Sequence, residues 1–282
     1  MEKREEKTAY LFLLPSLLGT AVFVLVPFLD VIRRSFFQAV GGRFVGLGNY
    51  KEVLQNAAFQ QAFLNTGQFL VICIPMLLVL SFAMALWIYN LPIGKRMMES
   101  ICLIPMAIPV ASVVVFWKLL FYENGILNEM TEWFGIQGRD WMNSDAAFGV
   151  LVFTYLWKNL GYDVVLWIAG LASIPSEHYD AAKVDGAGML QRFRNITLPQ
   201  MKSSFVMIGV LSFINSFRVF REAYLIAGDY PHESIYMLQH LFNNWFVKLD
   251  IQKMSASAVL MASVISFLFL WVEWWNEREE RK

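Results

Sequence analysis

The chain has 282 residues, of which 57% are hydrophobic and only 16% charged, and its formal net charge is zero. That balance argues against a nucleic-acid partner, which needs a cationic face, and describes a chain whose solvent is lipid. Cys73 and Cys102 sit inside apolar runs, and His178, His232 and His240 share no ligand spacing, so neither a disulfide nor a metal site is expected.

Taken in order, a basic start (Lys3, Arg4, Lys7) precedes an uncharged run from Thr8 to Leu29. The run can cross a hydrocarbon core, which takes roughly 20 apolar helical residues. It is too long for a cleaved leader and lacks a small-residue cleavage site before Asp30, so a retained first span over 8–32 is predicted. After Arg33 and Arg34 comes a turn-rich stretch, Phe44-Val45-Gly46-Leu47-Gly48-Asn49-Tyr50, and an amphipathic remainder to Asn65-Thr66 that suits the membrane interface. Further spans are predicted at 67–89, 100–122, 148–173, 203–223 and 256–275. Pro75, Pro105 and Pro109 predict kinks, which lipid-embedded helices tolerate when neighbours satisfy the freed carbonyls. Trp87, Trp271, Trp274 and Trp275 fit interfacial anchors. No linker divides the chain, so one transmembrane domain over 1–282 is predicted. Six spans put both termini on one side. With the tails inside, cytoplasmic segments hold twelve Lys and Arg and the outer loops seven, so the termini are expected in the cytoplasm.

Between the fourth and fifth spans lies a polar loop, 174–202. Pro175 stops the preceding helix, Ser176 suits an N-cap, and Glu177 and Asp180 fall in a first turn where the helix dipole favours carboxylates. Gly186 and Gly188 end the helix, and the small Ala181 and Ala182 let another surface come close. On these residues alone the stretch is either a docking element or a well-capped loop helix. Its spacing is more specific: Asp180-Ala181-Ala182, Gly186 four residues past Ala182, Ile196 ten residues past the glycine, then Leu198-Pro199. This resembles the cytoplasmic "EAA" loop of the membrane subunits of binding-protein-dependent ABC importers, with Asp180 keeping the charge of the usual Glu on a shorter side chain. The 44–50 stretch and Asn65-Thr66 resemble the sugar-uptake branch, of the maltose and glycerol-phosphate transporter type and like the first permease of such pairs.

The resemblance implies an all-α integral membrane protein of the type I ABC importer kind, with six transmembrane helices and a cytoplasmic coupling helix. That helix would meet the ATPase through Ser176, Glu177, Tyr179, Asp180, Ala181, Ala182, Asp185, Gly186 and Ala187. It further implies a second homologous permease, two copies of a nucleotide-binding subunit that holds ATP and Mg, an extracellular solute-binding protein and a prokaryotic plasma membrane. No cofactor is expected on this chain.

Ionisable groups inside spans are costly and normally face a cavity or a partner. The fourth predicted span carries Lys158 and Asp163 near its middle; they either pair with each other or face a path separately. Trp157, Asn159, Gly161, Tyr162, Ser212, Asn215 and Ser216 are the candidate path residues, since amides and hydroxyls exchange hydrogen bonds with sugar hydroxyls and aromatic rings stack on pyranose faces. Carbohydrate, oligosaccharide first, is the expected solute; a glycerol phosphate stays open, and Lys158, Arg218 and Arg221 leave room for an anionic sugar. No glycine-rich nucleotide loop is present: Gly94-Lys95 is followed by Arg96, with Tyr89 where the first glycine belongs. HExxH, CxxC and GxSxG are absent too, so the chain reads as a conduit and not an enzyme. An ion-coupled secondary transporter using Lys158 and Asp163 is the rival reading, followed by a structural or sensor subunit that carries no solute.

Overall fold

The computed structural model describes residues 12–135, 137–219, 221, 223–224 and 228–280. Residues 8–11, 220 and 222 of the predicted spans lie outside that set, as do the side chains of Arg218 and Trp275. Among the described residues the structure is helical, with extended pairing confined to an isolated bridge between Phe37 and Phe44. Long apolar runs fold this way because a helix bonds every backbone group within its own segment, which lipid demands.

In chain order the helices are α1 (Phe12–Ser35), α2 (Gly48–Gln55), α3 (Ala57–Tyr89), α4 (Lys95–Ala107), α5 (Val110–Phe121), α6 (Ile126–Trp133), α7 (Ala146–Ala172), α8 (Ser176–Val184), α9 (Met189–Gln200), α10 (Lys202–Ser216), α11 (Leu238–Val247) and α12 (Ile251–Glu280). Four described stretches are long and apolar enough to cross a membrane: Phe12–Ser35, Ala57–Tyr89, Val110–Trp133 and Ile251–Trp271. The pair α9 and α10, bent by 61°, makes a fifth if it counts as one span.

Six spans are predicted; the fifth stands only as part of the bent pair, and two others differ for identifiable reasons. The span over 100–122 is broken, because Ile108 and Pro109 adopt extended backbone with ψ of 129° and 137°. Pro109 lacks an N–H and pushes the residue before it out of the helical region, so the apolar stretch starts afresh at Val110. Pro75 and Pro105, by contrast, stay inside continuous helices. The predicted fourth span is covered by α7, a helix of 27 residues, which is not among the four stretches; Lys158, Asn159 and Asp163 interrupt its apolar run near the centre.

The chain divides into two compact units, residues 1–60 with 241–282 and residues 61–240. In the first, α12 packs against α1 and α2. The turn between α1 and α2 is locked by Asn49, whose amide donates to the carbonyls of Ser35 (2.8 Å) and Phe37 (3.0 Å). Tyr50 adds a hydroxyl contact to Ser35 at 2.6 Å, and Lys253 meets Glu52 at 2.9 Å. The 44–50 stretch is thus a folded lock, with Gly46 at φ +56° supplying a backbone conformation most side chains resist.

In the second unit, α7 is the central helix. One apolar cluster joins it to α3 through Phe69, Leu77, Leu151 and Tyr155, and takes in Val219, Ala223, Ile235 and Met237. Another gathers Phe82, Trp167, Leu171, Met201 and Ile208, with Trp167 donating to the Ser81 hydroxyl at 2.8 Å. Asn65 donates to the carbonyls of Glu233 and Tyr236, and the Thr66 hydroxyl accepts from the Leu238 N–H. So Asn65-Thr66 also has a structural task, tying α3 to the segment before α11. Cys73 and Cys102 are buried free thiols.

Candidate functional site

The site is built on α7 and its neighbours α4 and α10. Gly161 sets the approach of α4: a Cβ there would overlap the carbonyl oxygen of Cys102. One turn earlier, α7 opens onto a cavity of about 320 Å3. Its lining combines Thr154, Tyr155, Lys158 and Asn159 of α7 with Asn215 of α10, Arg221, and the break between α4 and α5 at Ile108 and Pro109. The α7 residues recur at i and i+4, which places them on one helix face.

Asp163 points elsewhere. It is five residues from Lys158, so the two side chains leave the helix about 140° apart and do not share a face. Its carboxylate, 1% exposed, accepts a hydrogen bond from the Ser212 hydroxyl at 2.8 Å, and the Ser212 carbonyl accepts from the Tyr155 hydroxyl at 3.0 Å. Asp163 and Ser212 therefore stitch α7 to α10 behind the cavity, while Lys158 lines it.

Of the predicted path residues, the cavity brings together Asn159 and Asn215, along with Lys158. Trp157 packs edge-on against Trp117 at 5.4 Å, and Ser216 donates to the Phe213 carbonyl at 2.6 Å. Gly161 is a packing glycine, Tyr162 is half-buried outside the cavity lining, and Ser212 is engaged with Asp163. Thr154, Tyr155 and the Ile108-Pro109 break were not among the candidates. The i, i+4 spacing from Lys158 and Asn159 could have found the first two, and the Pro105-Pro109 pair hinted at the third.

At its C-terminal end α7 passes through Ser173, Ile174 and Pro175 into α8. The N-cap position is Pro175 and not Ser176, and no side chain caps the start. The far end is capped by backbone. Gly186, at φ +75°, donates to the Lys183 carbonyl (3.1 Å), and Ala187 donates to that of Ala182 (2.8 Å), which is a complete Schellman motif. Tyr179 anchors the helix inward through its hydroxyl contact with Thr197 at 3.0 Å. Ser176, Glu177, Asp180, Ala181, Asp185 and Gly186 are exposed, Ala182 and Ala187 partly so. Asp180 pairs with Lys183 at 2.8 Å on that outer face. Val184, Met189 and Leu190 extend it with exposed apolar surface.

The helix that lines the cavity thus continues, through a short connection, into an exposed loop helix, and comparison with known proteins gives the family. The profile of the binding-protein-dependent transport system inner membrane component matches residues 77–282. The chain belongs to this family. Among relatives, the trehalose/maltose transport system permease protein of Thermococcus litoralis is 30% identical over 280 residues, covering 97% of this chain and 95% of the relative. The sulfoquinovosyl glycerol transport system permease protein of Agrobacterium fabrum is 31% identical over 262 residues, 90% and 85% of the two chains. A crystal structure of a bacterial ABC transporter involved in import of the acidic polysaccharide alginate shares the fold, with a TM-score of 0.79 at 18% identity over 95% of this chain and 93% of that one. The chain is thus a transport subunit of the inner-membrane family.

Proposed function

We propose that this chain forms half of the translocation path of an ATP-driven ABC importer and that its solute is a carbohydrate. Within that reading α7 is a membrane crossing despite its polar centre, the bent pair α9 and α10 is another, and α4 with α5 forms a broken one, giving six crossings with both termini in the cytoplasm. Its 27 residues, at 1.5 Å each, make α7 about 40 Å long, enough to span the hydrocarbon. A charged centre is tolerable there because it opens onto a cavity.

The observation that carries the reading is the continuity of α7: one helix lines the cavity and runs within three residues into the exposed helix α8. Closure of two nucleotide-binding subunits around ATP would move α8 as a rigid body, and the Tyr179–Thr197 contact would pass that motion to α9 and α10, changing access to the cavity. Ser176 to Ala187 is the coupling surface in this scheme. The partners are a second homologous permease, two ATPase copies that hold ATP and Mg, and an extracellular binding protein; this chain itself holds no cofactor. Relatives named for trehalose/maltose and arabinooligosaccharides support the sugar assignment, as do the amide groups of the cavity, which match sugar hydroxyls.

The test is co-expression with the neighbouring ATPase and second permease, followed by purification through this chain. The expected result is a complex whose ATPase is stimulated by the solute-loaded binding protein, with Gly186→Asp losing assembly or stimulation. A chain that purifies alone and moves solute without ATP would sink the proposal and return Lys158 and Asp163 to the centre of an ion-coupled mechanism.

A further inference from the structure

A second cavity, of about 790 Å3, lies at the C-terminal end of α7. Its walls come from the ends of α3 and α7 and from α8 and α9, all within the unit of residues 61–240. Ser176, Tyr179, Asp180 and Lys183 line it at i, i+3, i+4 and i+7, so one face of α8 turns toward the cavity, while Glu177, Ala181 and Val184 leave the helix on another. The helix can therefore meet a partner subunit and close a cavity at once. Asp180 and Lys183 sit at the mouth, since both side chains are more than half exposed.

Depth and chemistry point to one kind of ligand. Trp87 is exposed two residues before Tyr89, at a position that fits an anchor at headgroup level. In the six-crossing arrangement proposed above, the cavity thus begins where α3 and α7 leave the hydrocarbon. Leu86, Leu171 and Ile174 give it an apolar wall, and Lys183 and Arg192 set two cations against a single acid, Asp180. That acid is already engaged by Lys183 at 2.8 Å. The Nε of Arg192 is buried and has no hydrogen-bond partner among the described residues. A buried donor without an acceptor is costly, and a planar guanidinium suits a phosphate. The start of α8 at Ser176 has no side-chain cap, so the positive end of its dipole is also open to an anion.

We infer that this cavity holds the headgroup of an anionic phospholipid of the cytoplasmic leaflet, with its phosphate at Arg192 and its acyl chains on Leu86, Leu171 and Ile174. The site rests on the membrane placement within the importer reading and adds a ligand which that reading does not assign. Charge selects the headgroup: choline would carry its own cation into a lining that is net cationic, whereas phosphatidylglycerol brings negative charge alone. An occupied site would brace α8 against the ends of α3 and α7.

The experiment supplies photoactivatable phosphatidylglycerol or phosphatidylcholine, with the same acyl label, to the complete complex in phosphatidylcholine vesicles and maps the crosslinks by peptide. Phosphatidylglycerol should label residues 171–193 about tenfold over phosphatidylcholine, the ratio expected for one charge-assisted hydrogen bond. Arg192→Gln should remove most of that preference, and Arg194→Gln, exposed and outside the cavity, should leave it. Asn90→Lys adds a cation at an exposed lining position and should raise the labelling severalfold, a gain that misfolding cannot give. Equal labelling by the two lipids, or equal effects of the Arg192 and Arg194 changes, overturns the inference. So does displacement by inorganic phosphate as effective as by unlabelled lipid, which would make the cavity a site for a soluble anion. Solute-stimulated ATPase of the same vesicles reads the importer proposal separately. Stimulation with equal labelling leaves that proposal standing alone; selective labelling without stimulation supports the lipid site and overturns the coupling.

Discussion

Asn128 and Asn215 are the same side chain in two situations. Asn128, 2% exposed, is surrounded by backbone: its amide donates to the carbonyls of Glu123 (2.7 Å) and Arg139 (2.8 Å), and its oxygen accepts from the Trp141 indole (2.7 Å) and the Arg139 N–H (3.3 Å). Asn215 is half-buried and opens onto the cavity beside Lys158. The first closes the excursion between α5 and α7; the second faces space that a solute can fill. Polarity in a membrane protein does not by itself mark a path. Whether the fold already supplies partners on every side separates the two kinds.

The strongest way to break this division is at Gly161, which the sequence offers as a path residue and the structure places against Cys102. If Gly161 is packing, Gly161→Val forces α4 and α7 apart and costs about 3 kcal/mol or more, at the upper end of overpacking effects. Thermal melting of the purified complex measures it. A stable variant with altered solute preference would return Gly161 to the path.

His240 tests the locked side by pH. The ring is fully buried, Nδ1 accepts the Met237 N–H at 3.2 Å, and burial holds its pKa at about 4, opposed by the charge of Asp229. The unfolded chain takes up this proton at about 6.5 and the folded one only at about 4. Stability is therefore full above the higher value and falls as pH drops through the window, by about 3 kcal/mol once below both. His240→Gln, which keeps an acceptor and cannot titrate, should flatten the melting temperature between pH 6.5 and 4. An unchanged pH profile would show that the ring is not held neutral.

Asn128 and Asn215 give the next largest effect. Asn128→Ala strands the Trp141 and Arg139 donors and should cost about 2 kcal/mol, whereas Asn215→Ala removes no closed network and should cost about 0.5 kcal/mol or less while lowering uptake. Equal stability losses would erase the distinction.

Much of this arrangement is legible in residue order. The apolar runs locate α1, α3 and α12, and Gly186 at the correct distance from Ala182 locates the end of α8. The interruption of the third span is half-legible: Pro109 announces a defect, but only packing decides that it becomes a break while Pro105 and Pro75 do not. The lock at Asn49 and the tie at Asn65-Thr66 are invisible as such, because their partners lie up to 172 residues away and a sequence shows an amide without showing what it faces. The separation of Lys158 from Asp163 follows from helical geometry alone, yet which of the two meets the cavity depends on where α10 places Ser212.

The smallest expected effect is the most useful for α8. Asp180 and Lys183 form an ion pair with both side chains more than half exposed, and such pairs contribute about 0.5 kcal/mol or less. Asp180→Asn should therefore leave melting of the complex within that margin. It also leaves the Schellman end at Gly186 and the Tyr179 anchor intact, since neither uses the Asp180 side chain. Any fall in stimulated ATPase then reports on docking, because folding has been held constant. A severalfold loss would place the carboxylate in contact with the ATPase subunit. Wild-type stimulation would make α8 a helix whose backbone shape, set by Gly186, matters more than its charge.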